Sequence, residues 1–218
     1  MVRMVLSSFY NTLINEEESI NQSTMIEIDG IRNNHILFGI ITNRGIEDIL
    51  YYNHDFPFID YIFALNGSLI YDVEKNQIVH KINLDKTIVK EISNLYKNHK
   101  IIYYTEEKEY SFIPEEDVYK IEIEMDKRKE NPFLKKYPVK ASIFEWDNKT
   151  YLEITKEDIQ VLLKEFIDKN NIKQEEIISI IGNESEKSIK KVIENTYELQ
   201  KPNEITIVEE ILRNINQI

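Results

Sequence analysis

Residues 1–15 read MVRMVLSSFYNTLIN, and the apolar run with which they begin ends in the polar pair Ser7 and Ser8. Three further short apolar runs end in polar or turn-forming residues and lie at residues 36–41, 61–65 and 177–181. Runs of this length and composition are typical of strands that are buried on both faces of a parallel sheet. The sequence therefore predicts a parallel β-sheet.

Helical spacing of apolar residues marks two stretches in the second half of the chain. In residues 155–170 the apolar side chains recur every three or four positions, and Thr155 with Asp158 fits a capping box. A last helix is expected from about Ile205, and its inward residues are Val208, Ile211, Leu212 and Ile215. Strands that alternate with helices favour an α/β fold.

The middle of the chain has a different pattern. Residues 68–82 and 100–113 each have the pattern of a β-hairpin, and residues 84–99 have that of a helix. In residues 118–125, charged and apolar side chains alternate from Lys120 onward, which indicates a strand with one buried face. The middle therefore resembles a separate α+β unit with sheets that are covered on one face.

These two patterns divide the chain into a core and an insertion. We predict a Rossmann-like parallel-sheet core at residues 1–70 and 153–218. The inserted α+β cap is expected at residues 71–152. The predicted fold class is thus α/β.

Composition excludes several classes of partner. The chain has 27 Lys+Arg against 39 Asp+Glu, a formal charge of −12, and a pI near 4.9, so its field repels nucleic acid and anionic membranes. With no cysteine it has neither disulfides nor a thiolate metal site. It also has no run of 18 or more apolar residues. We therefore expect a cytoplasmic protein with no nucleic-acid or membrane partner.

The ends of the predicted strands indicate where chemistry belongs. In an open parallel α/β sheet, ligands bind beyond the carboxyl ends of the strands. Four segments follow such ends, at residues 8–12, 42–44, 66–68 and 182–187.

Each of these segments is similar to a known signature. Residues 8–13, Ser-Phe-Tyr-Asn-Thr-Leu, resemble Asp-x-Asp-Gly-Thr-Leu and match it at Thr12 and Leu13. Residues 42–44, Thr-Asn-Arg, resemble Thr-Gly-Arg without its glycine, and residues 66–68, Asn-Gly-Ser, resemble Asn-Gly-Ala. Residues 182–187 resemble Gly-Asp-x-x-Asn-Asp and keep only the glycine. In this order, along nearly the whole chain, the segments resemble Cof-type phosphatases of the haloacid dehalogenase superfamily.

The resemblance implies a set of reacting groups that this chain has replaced. It places Ser8 at the position of the nucleophilic aspartate, Tyr10 at that of the acid/base, and Thr42 beside them. It implies a lysine near Ile159, and an Mg²⁺ ion held at the positions of Ser8, Asn183 and Lys187. We expect no metal or other cofactor here, because serine and asparagine offer only neutral oxygens and a lysine repels the cation.

A residual anion-binding cleft is the second expectation. Its candidate residues follow the strand ends: Asn11, Thr12, Asn43, Arg44, Asn66 and Gly67. Backbone N–H groups at such turns bind phosphate without a charged side chain. Arg44 either takes part or pairs with an acid, and Tyr10 is either an aromatic plug or an ordinary loop residue.

A serine nucleophile would need a nearby base. Sequence position provides none for Ser8 among the histidines, which are His35, His54, His80 and His99. Glu184 and Glu186 either act as surrogate metal ligands or interact with a helix dipole.

Three functional hypotheses follow. The leading one is a catalytically degenerate phosphatase homologue with a regulatory or scaffolding role, whose partner is a small phosphorylated molecule or a protein. The second is an active Mg²⁺-dependent phosphatase for metabolites such as sugar phosphates, using relocated groups such as Glu184, Glu186 or Lys156. The third is an interaction module that binds through the surface of the cap.

Overall fold

The computed structural model describes residues 1–10, 12–14, 19–53, 57–126, 132–146, 148–182, 189–199 and 204–217. Within these residues the helices are α1 (Gln22–Asn33), α2 (Ile46–Asn53), α3 (Lys86–Leu95), α4 (Ile159–Lys169) and α5 (Ile205–Asn216). The first strands are β1 (Met4–Ser8), β2 (Leu37–Ile41), β3 (Tyr61–Ala64), β4 (Leu69–Asp72), β5 (Gln77–Lys81) and β6 (Ile101–Tyr104). The others are β7 (Glu109–Tyr110), β8 (Lys120–Met125), β9 (Lys140–Trp146), β10 (Lys149–Thr155), β11 (Ile177–Ile181) and β12 (Thr196–Glu198).

A seven-stranded sheet has the order β12-β11-β1-β2-β3-β4-β5. From β12 to β3 every neighbouring pair is parallel, while β4 runs antiparallel to both β3 and β5. All five residues of β1 and all five of β11 are buried, as the short apolar runs in the sequence indicated. The predicted α/β fold with a parallel sheet is confirmed.

Helices cover this sheet on both faces. Side chains alternate along a strand, so Val5 packs into one apolar cluster while its neighbours Met4 and Leu6 pack into another. The first cluster includes residues of α1, α2 and α5, and the second includes α4. The inward residues expected for the last helix, Val208, Ile211, Leu212 and Ile215, are all buried.

A second, five-stranded sheet has the order β7-β6-β8-β10-β9 and is antiparallel throughout. One of its faces packs on α3, where Val89 and Ile92 meet Ile121 and Leu152. The alternation in β8 and β10 puts a different set of side chains on the opposite face. That face carries Lys120, Glu122, Glu153 and Tyr151.

The insertion at residues 71–152 stays a prediction, but one hairpin near its start joins a different sheet from the one expected. The hairpin of β4 and β5 was expected in the cap, but β4 pairs with β3 in the seven-stranded sheet. The hairpin pattern in the sequence was correct, but a local pattern does not state which sheet a hairpin joins. The five-stranded sheet instead draws its strands from residues 101–155.

The predicted start of α4 also needs a correction. Asp158 is itself the N-cap residue, and its side chain accepts a hydrogen bond from Gln160 N at 3.1 Å. Thr155 belongs to β10, and its hydroxyl donates to Glu157 O at 2.8 Å. A single capping residue therefore replaces the predicted capping box.

No helix among the described residues has the length and apolar character needed to cross a bilayer.

Gly39 provides a test of packing in the seven-stranded sheet. A Cβ atom there would lie 2.6 Å from Leu6 Cδ2 and 3.0 Å from Met4 Cε, and both neighbours are fully buried. We expect Gly39→Ala to lower the free energy of unfolding by about 1–3 kcal/mol, measured by urea denaturation. Gly45→Ser is the control, because a Cβ there meets nothing within 4 Å. Equal stabilities of the two variants would contradict the packing described.

Candidate functional site

The carboxyl ends of β1, β2, β3 and β11 meet at one edge of the seven-stranded sheet. Gly182 N donates to Ser8 Oγ at 3.2 Å, and Asn66 N donates to Thr42 O at 3.0 Å. Phe9 N donates to the carbonyl of Ile41 at 3.2 Å. The structure therefore brings Ser8, Thr42, Asn66 and Gly182 together, as parallel strand ends require.

Ser8 occupies the end of β1 and is fully buried. Its hydroxyl accepts the Gly182 hydrogen bond, and its carbonyl accepts one from Ser7 Oγ at 2.9 Å. His35 lies before β2 and Thr42 directly after it, so that histidine is at the other end of the strand. His80 lies in β5 and His99 follows α3, whereas His54 lies outside the described residues.

Tyr10 lies where the resemblance places an acid/base. Its ring contacts Phe9 edge to face, and the Arg44 guanidinium carbon lies 5.7 Å from the Tyr10 ring centroid. Tyr10 also packs against the apolar cluster that includes Tyr104 and Tyr119 of the five-stranded sheet and its approach. At this position the structure therefore has an aromatic ring in place of a carboxylate.

The turn after β2 uses its polar groups internally. Thr42 Oγ1 accepts a hydrogen bond from Arg44 N at 3.1 Å, and the carbonyl of Arg44 accepts one from Leu65 N at 3.0 Å. Thr12 Oγ1 is buried and has no hydrogen-bond partner among the described residues. Asn11, the remaining candidate of the first turn, lies outside the described residues.

Asn66 and Gly67 form a left-handed turn between β3 and β4. Asn66 has φ 57° and Gly67 has φ 87°, a region that glycine adopts without strain. A Cβ atom at Gly67 would lie 2.9 Å from Ile159 Cγ1. Gly67 thus lets the start of α4 approach the strand ends, and Ile159, near the expected lysine position, is buried there.

Glu153 of β10 reaches from the five-stranded sheet to these strand ends. Its Oε1 accepts from Lys120 Nζ at 3.1 Å and from Asn43 Nδ2 at 3.3 Å. Its Oε2 accepts from Asn66 Nδ2 at 2.9 Å and from Ser142 Oγ at 3.4 Å. Because the residue is only 1% exposed, these four donors replace the water that would otherwise solvate the carboxylate.

Lys120 of β8 is fully buried beside this carboxylate. Its Nζ donates to Asn43 O at 2.8 Å, to Glu153 Oε1 at 3.1 Å and to Glu122 Oε2 at 3.2 Å. It also lies 4.0 Å from the centroid of the Tyr104 ring. All three N–H groups of the ammonium have acceptors, and the aromatic face adds a cation–π contact.

Tyr104 completes the cluster. Its hydroxyl donates to Glu122 Oε2 at 3.3 Å. Burial raises the pKa of Tyr104 well above its ordinary value, and the nearby carboxylates of Glu122 and Glu109 raise it further. The phenol therefore stays protonated and remains a hydrogen-bond donor at any ordinary pH.

Sequence reasoning assigned Asn43 and Asn66 to the cleft but missed Lys120 and Glu153. The alternation in residues 118–125 places Lys120 and Glu122 on one face of a strand, and charged residues on one face usually indicate contact with solvent. The only signal was that Lys120 lies among apolar residues, and this signal does not identify a partner.

Among the described residues at the strand ends, the donor set does not fit a magnesium site. Mg²⁺ prefers carboxylates and water, whereas Ser8 offers a neutral hydroxyl that already accepts from Gly182. Within the described ranges no group of three or more His, Cys, Asp or Glu side chains is arranged to hold a metal ion. The other predicted positions, Asn183, Glu184, Glu186 and Lys187, lie outside the described residues.

Comparisons with known proteins agree with this architecture. A family profile described as haloacid dehalogenase-like hydrolase matches residues 10–213. A solved haloacid dehalogenase-like hydrolase from B. subtilis aligns with a TM-score of 0.80 at 14% identity, over 96% of this chain and 93% of that one.

Two solved phosphatases align over their whole length or nearly so. One, from Bacteroides thetaiotaomicron, belongs to the haloalkanoate superfamily and gives a TM-score of 0.76 at 13% identity, over 100% of this chain and 96% of that one. The other, a sugar phosphatase of subclass IIB, gives a TM-score of 0.78 at 16% identity, over 100% of each chain. No curated protein matches the chain. At these identities the structural likeness shows the fold alone.

Lys120 provides a test of the buried ion pair. Lys120→Met leaves the carboxylate of Glu153 buried without its cation, so we expect a loss of about 3–5 kcal/mol in the free energy of unfolding. The matched control is Lys149→Met, which breaks a partly exposed pair with Glu124 (2.9 Å) and should cost at most about 1 kcal/mol. Urea denaturation measures both, and equal losses would show that the Lys120 pair is not a buried ion pair.

Proposed function

The chain belongs to the haloacid dehalogenase-like hydrolase family, and we propose that it is a catalytically degenerate member. In this proposal it keeps the phosphatase fold and a cleft for anions, and serves a regulatory or scaffolding role. The observation that carries the proposal is the buried ion pair of Lys120 and Glu153. It binds Asn43 and Asn66, two residues of the turns that were expected to hold an anion.

The residues at the reacting positions support this proposal. The family reaction needs a carboxylate to attack phosphorus and a second carboxylate, two residues later, to move the proton. Those positions hold Ser8, whose hydroxyl accepts a backbone hydrogen bond, and Tyr10, whose ring lies near Arg44. Neither side chain supplies a negative charge at neutral pH.

Electrostatics support it as well. A carboxylate about 4 Å from a divalent cation gains roughly 8 kcal/mol at an effective dielectric of about 20, and a lysine at that place would cost a similar amount. The sequence has Lys187 where the resemblance implies an acidic magnesium ligand. A cation would therefore be repelled at that position.

The charge of the whole protein limits the kind of partner. With a formal net charge of −12, the chain repels nucleic acid and anionic lipid. We therefore propose a small phosphorylated molecule or a protein as its partner. The absence of cysteine fits a reducing, cytoplasmic compartment.

An active Mg²⁺-dependent phosphatase is the second candidate, because a sugar phosphatase aligns with the whole chain. It would have to use relocated groups such as Glu184, Glu186 or Lys156. Lys156 Nζ donates to Asp85 Oδ2 at 2.6 Å, so this lysine joins the two segments that connect the sheets. Glu184 and Glu186 lie outside the described residues.

A hydrolysis assay separates the two candidates. We expect the pure protein, with Mg²⁺, to hydrolyse p-nitrophenyl phosphate and a panel of sugar phosphates no faster than its Ser8→Ala variant, because neither protein has an attacking carboxylate. Released phosphate is measured against a protein-free blank. Mg²⁺-dependent turnover that disappears in Ser8→Ala or Glu186→Ala would overturn the degenerate function.

A restored variant tests the assignment of positions. It combines Ser8→Asp, Tyr10→Asp, Ile159→Lys, Asn183→Asp and Lys187→Asp with Glu153→Ala, which removes the carboxylate that binds Asn43 and Asn66. The matched control carries the same changes but keeps Ser8. Hydrolysis by the first variant and none by the control would support the assignment, whereas equal rates would contradict it.

A further inference from the structure

The carboxylate of Glu153 occupies the place where an external anion would meet the strand ends. We propose that Asn43 and Asn66 form an oxyanion site whose resident ligand is this carboxylate. A free phosphate ion enters only when Glu153 withdraws together with the five-stranded sheet. We call the group Asn43, Asn66, Lys120 and Glu153 the cleft latch. The inference rests on the proposed function in one respect, since it treats the strand ends as a site that binds an anion without catalysis.

The hydrogen bonds of Glu153 come equally from the two sides of the cleft. Asn43 and Asn66 belong to turns of the seven-stranded sheet, whereas Lys120 and Ser142 belong to the five-stranded sheet. Two amide N–H groups that converge on one carboxylate form a small oxyanion site, because carboxylate and phosphate oxygens accept the same kind of hydrogen bond.

Asn43 is central to this site. It stands where the resembled Thr-Gly-Arg signature has glycine, a residue with no side chain to offer. Its side-chain amide donates to Glu153, and its backbone carbonyl accepts from Lys120. The replacement of glycine by asparagine therefore adds the bond to Glu153, whereas the bond from Lys120 uses a backbone group that glycine also has.

The latch can open without separating its two charges. Lys120 and Glu153 lie on neighbouring strands, β8 and β10, so their ion pair moves as one unit with the five-stranded sheet. Lys120 also keeps its hydrogen bond to Glu122, and Glu153 keeps the hydrogen bond that it accepts from Ser142. Opening breaks only three hydrogen bonds of the latch, those that join the pair to Asn43 and Asn66. An incoming phosphate ion then replaces the carboxylate as acceptor for the two amides.

Among the described residues, two further ion pairs connect the regions of the two sheets. Lys81 pairs with Glu106 at 3.0 Å and Lys156 with Asp85 at 2.6 Å, and all but Lys156 are more than 40% exposed. Exposed pairs of this kind contribute little because water and salt screen them. Compared with these two pairs, the latch is the more deeply buried polar link between the sheets, and Tyr104 adds an apolar contact with the core.

Distance measurements between two spin labels test the latch directly. Since the chain has no cysteine, Ile26→Cys on α1 and Phe112→Cys beside β7 provide a clean label pair at exposed positions. We expect one narrow distance distribution in the labelled protein. Glu153→Ala should add a longer distance, whose population rises with inorganic phosphate. Glu124→Gln is the matched control, on the same face of the same sheet, and should leave the distribution unchanged.

Calorimetric titration with inorganic phosphate provides the second measurement. Removing the internal carboxylate raises the fraction of open sites, so Glu153→Ala should bind phosphate about tenfold more tightly than the parent protein. Asn43→Gly combined with Glu153→Ala should lose this gain, because it removes one of the two amides.

Two outcomes would overturn the proposal: an unchanged distance distribution in Glu153→Ala, or phosphate binding equal to that of the Glu124→Gln control. Glu153→Gln guards against a folding defect, because it retains a hydrogen-bonding oxygen and Lys120 still pairs with Glu122. It should open the latch in part, with an unchanged circular dichroism spectrum. Phosphatase turnover by the parent protein would refute the proposed function, while the label distances would still decide the latch.

Discussion

The structure depends on the ion pair of Lys120 and Glu153, which is buried between two sheets with almost no access to water. An isolated charge in such a place is costly, and a buried pair is tolerated only when every donor and acceptor is matched. Here three acceptors face the ammonium and four donors face the carboxylate. That requirement determines where the turns holding Asn43 and Asn66 lie relative to β8 and β10.

The same edge of the sheet is where the family places its chemistry. The parallel strands bring Ser8, Thr42 and Asn66 together, as they do in any sheet of this topology. Among the described residues at this edge, the side chains of Ser8, Thr42 and Asn66 form hydrogen bonds within the chain. The resemblance implies acidic groups for a cation at this edge, and these three side chains are neutral.

Fold and site have separate physical requirements, which explains how the fold persists at identities near 14%. A parallel sheet needs apolar strands and helices of suitable spacing, and many sequences satisfy that need. A metal-dependent site needs particular charges at a few positions, and one substitution there changes the sign of an interaction. The family membership of this chain therefore describes its architecture, whereas its function is a question about a few side chains.

Sequence patterns alone were enough to predict the α/β class, four strands of the parallel sheet, the last two helices, and the segments that meet at the carboxyl edge. These features depend on periodicity and turn residues, which are local properties of the chain. Only the tertiary structure decided that the β4–β5 hairpin joins the seven-stranded sheet and that Lys120 and Glu153 are buried. The pair lies 33 residues apart, and Lys120 and Asn43 lie 77 apart, so no local pattern connects them. An alternating strand has the same sequence pattern whether its charged side chains face water or a buried partner. The pattern shows which side chains share a face, but not what covers that face.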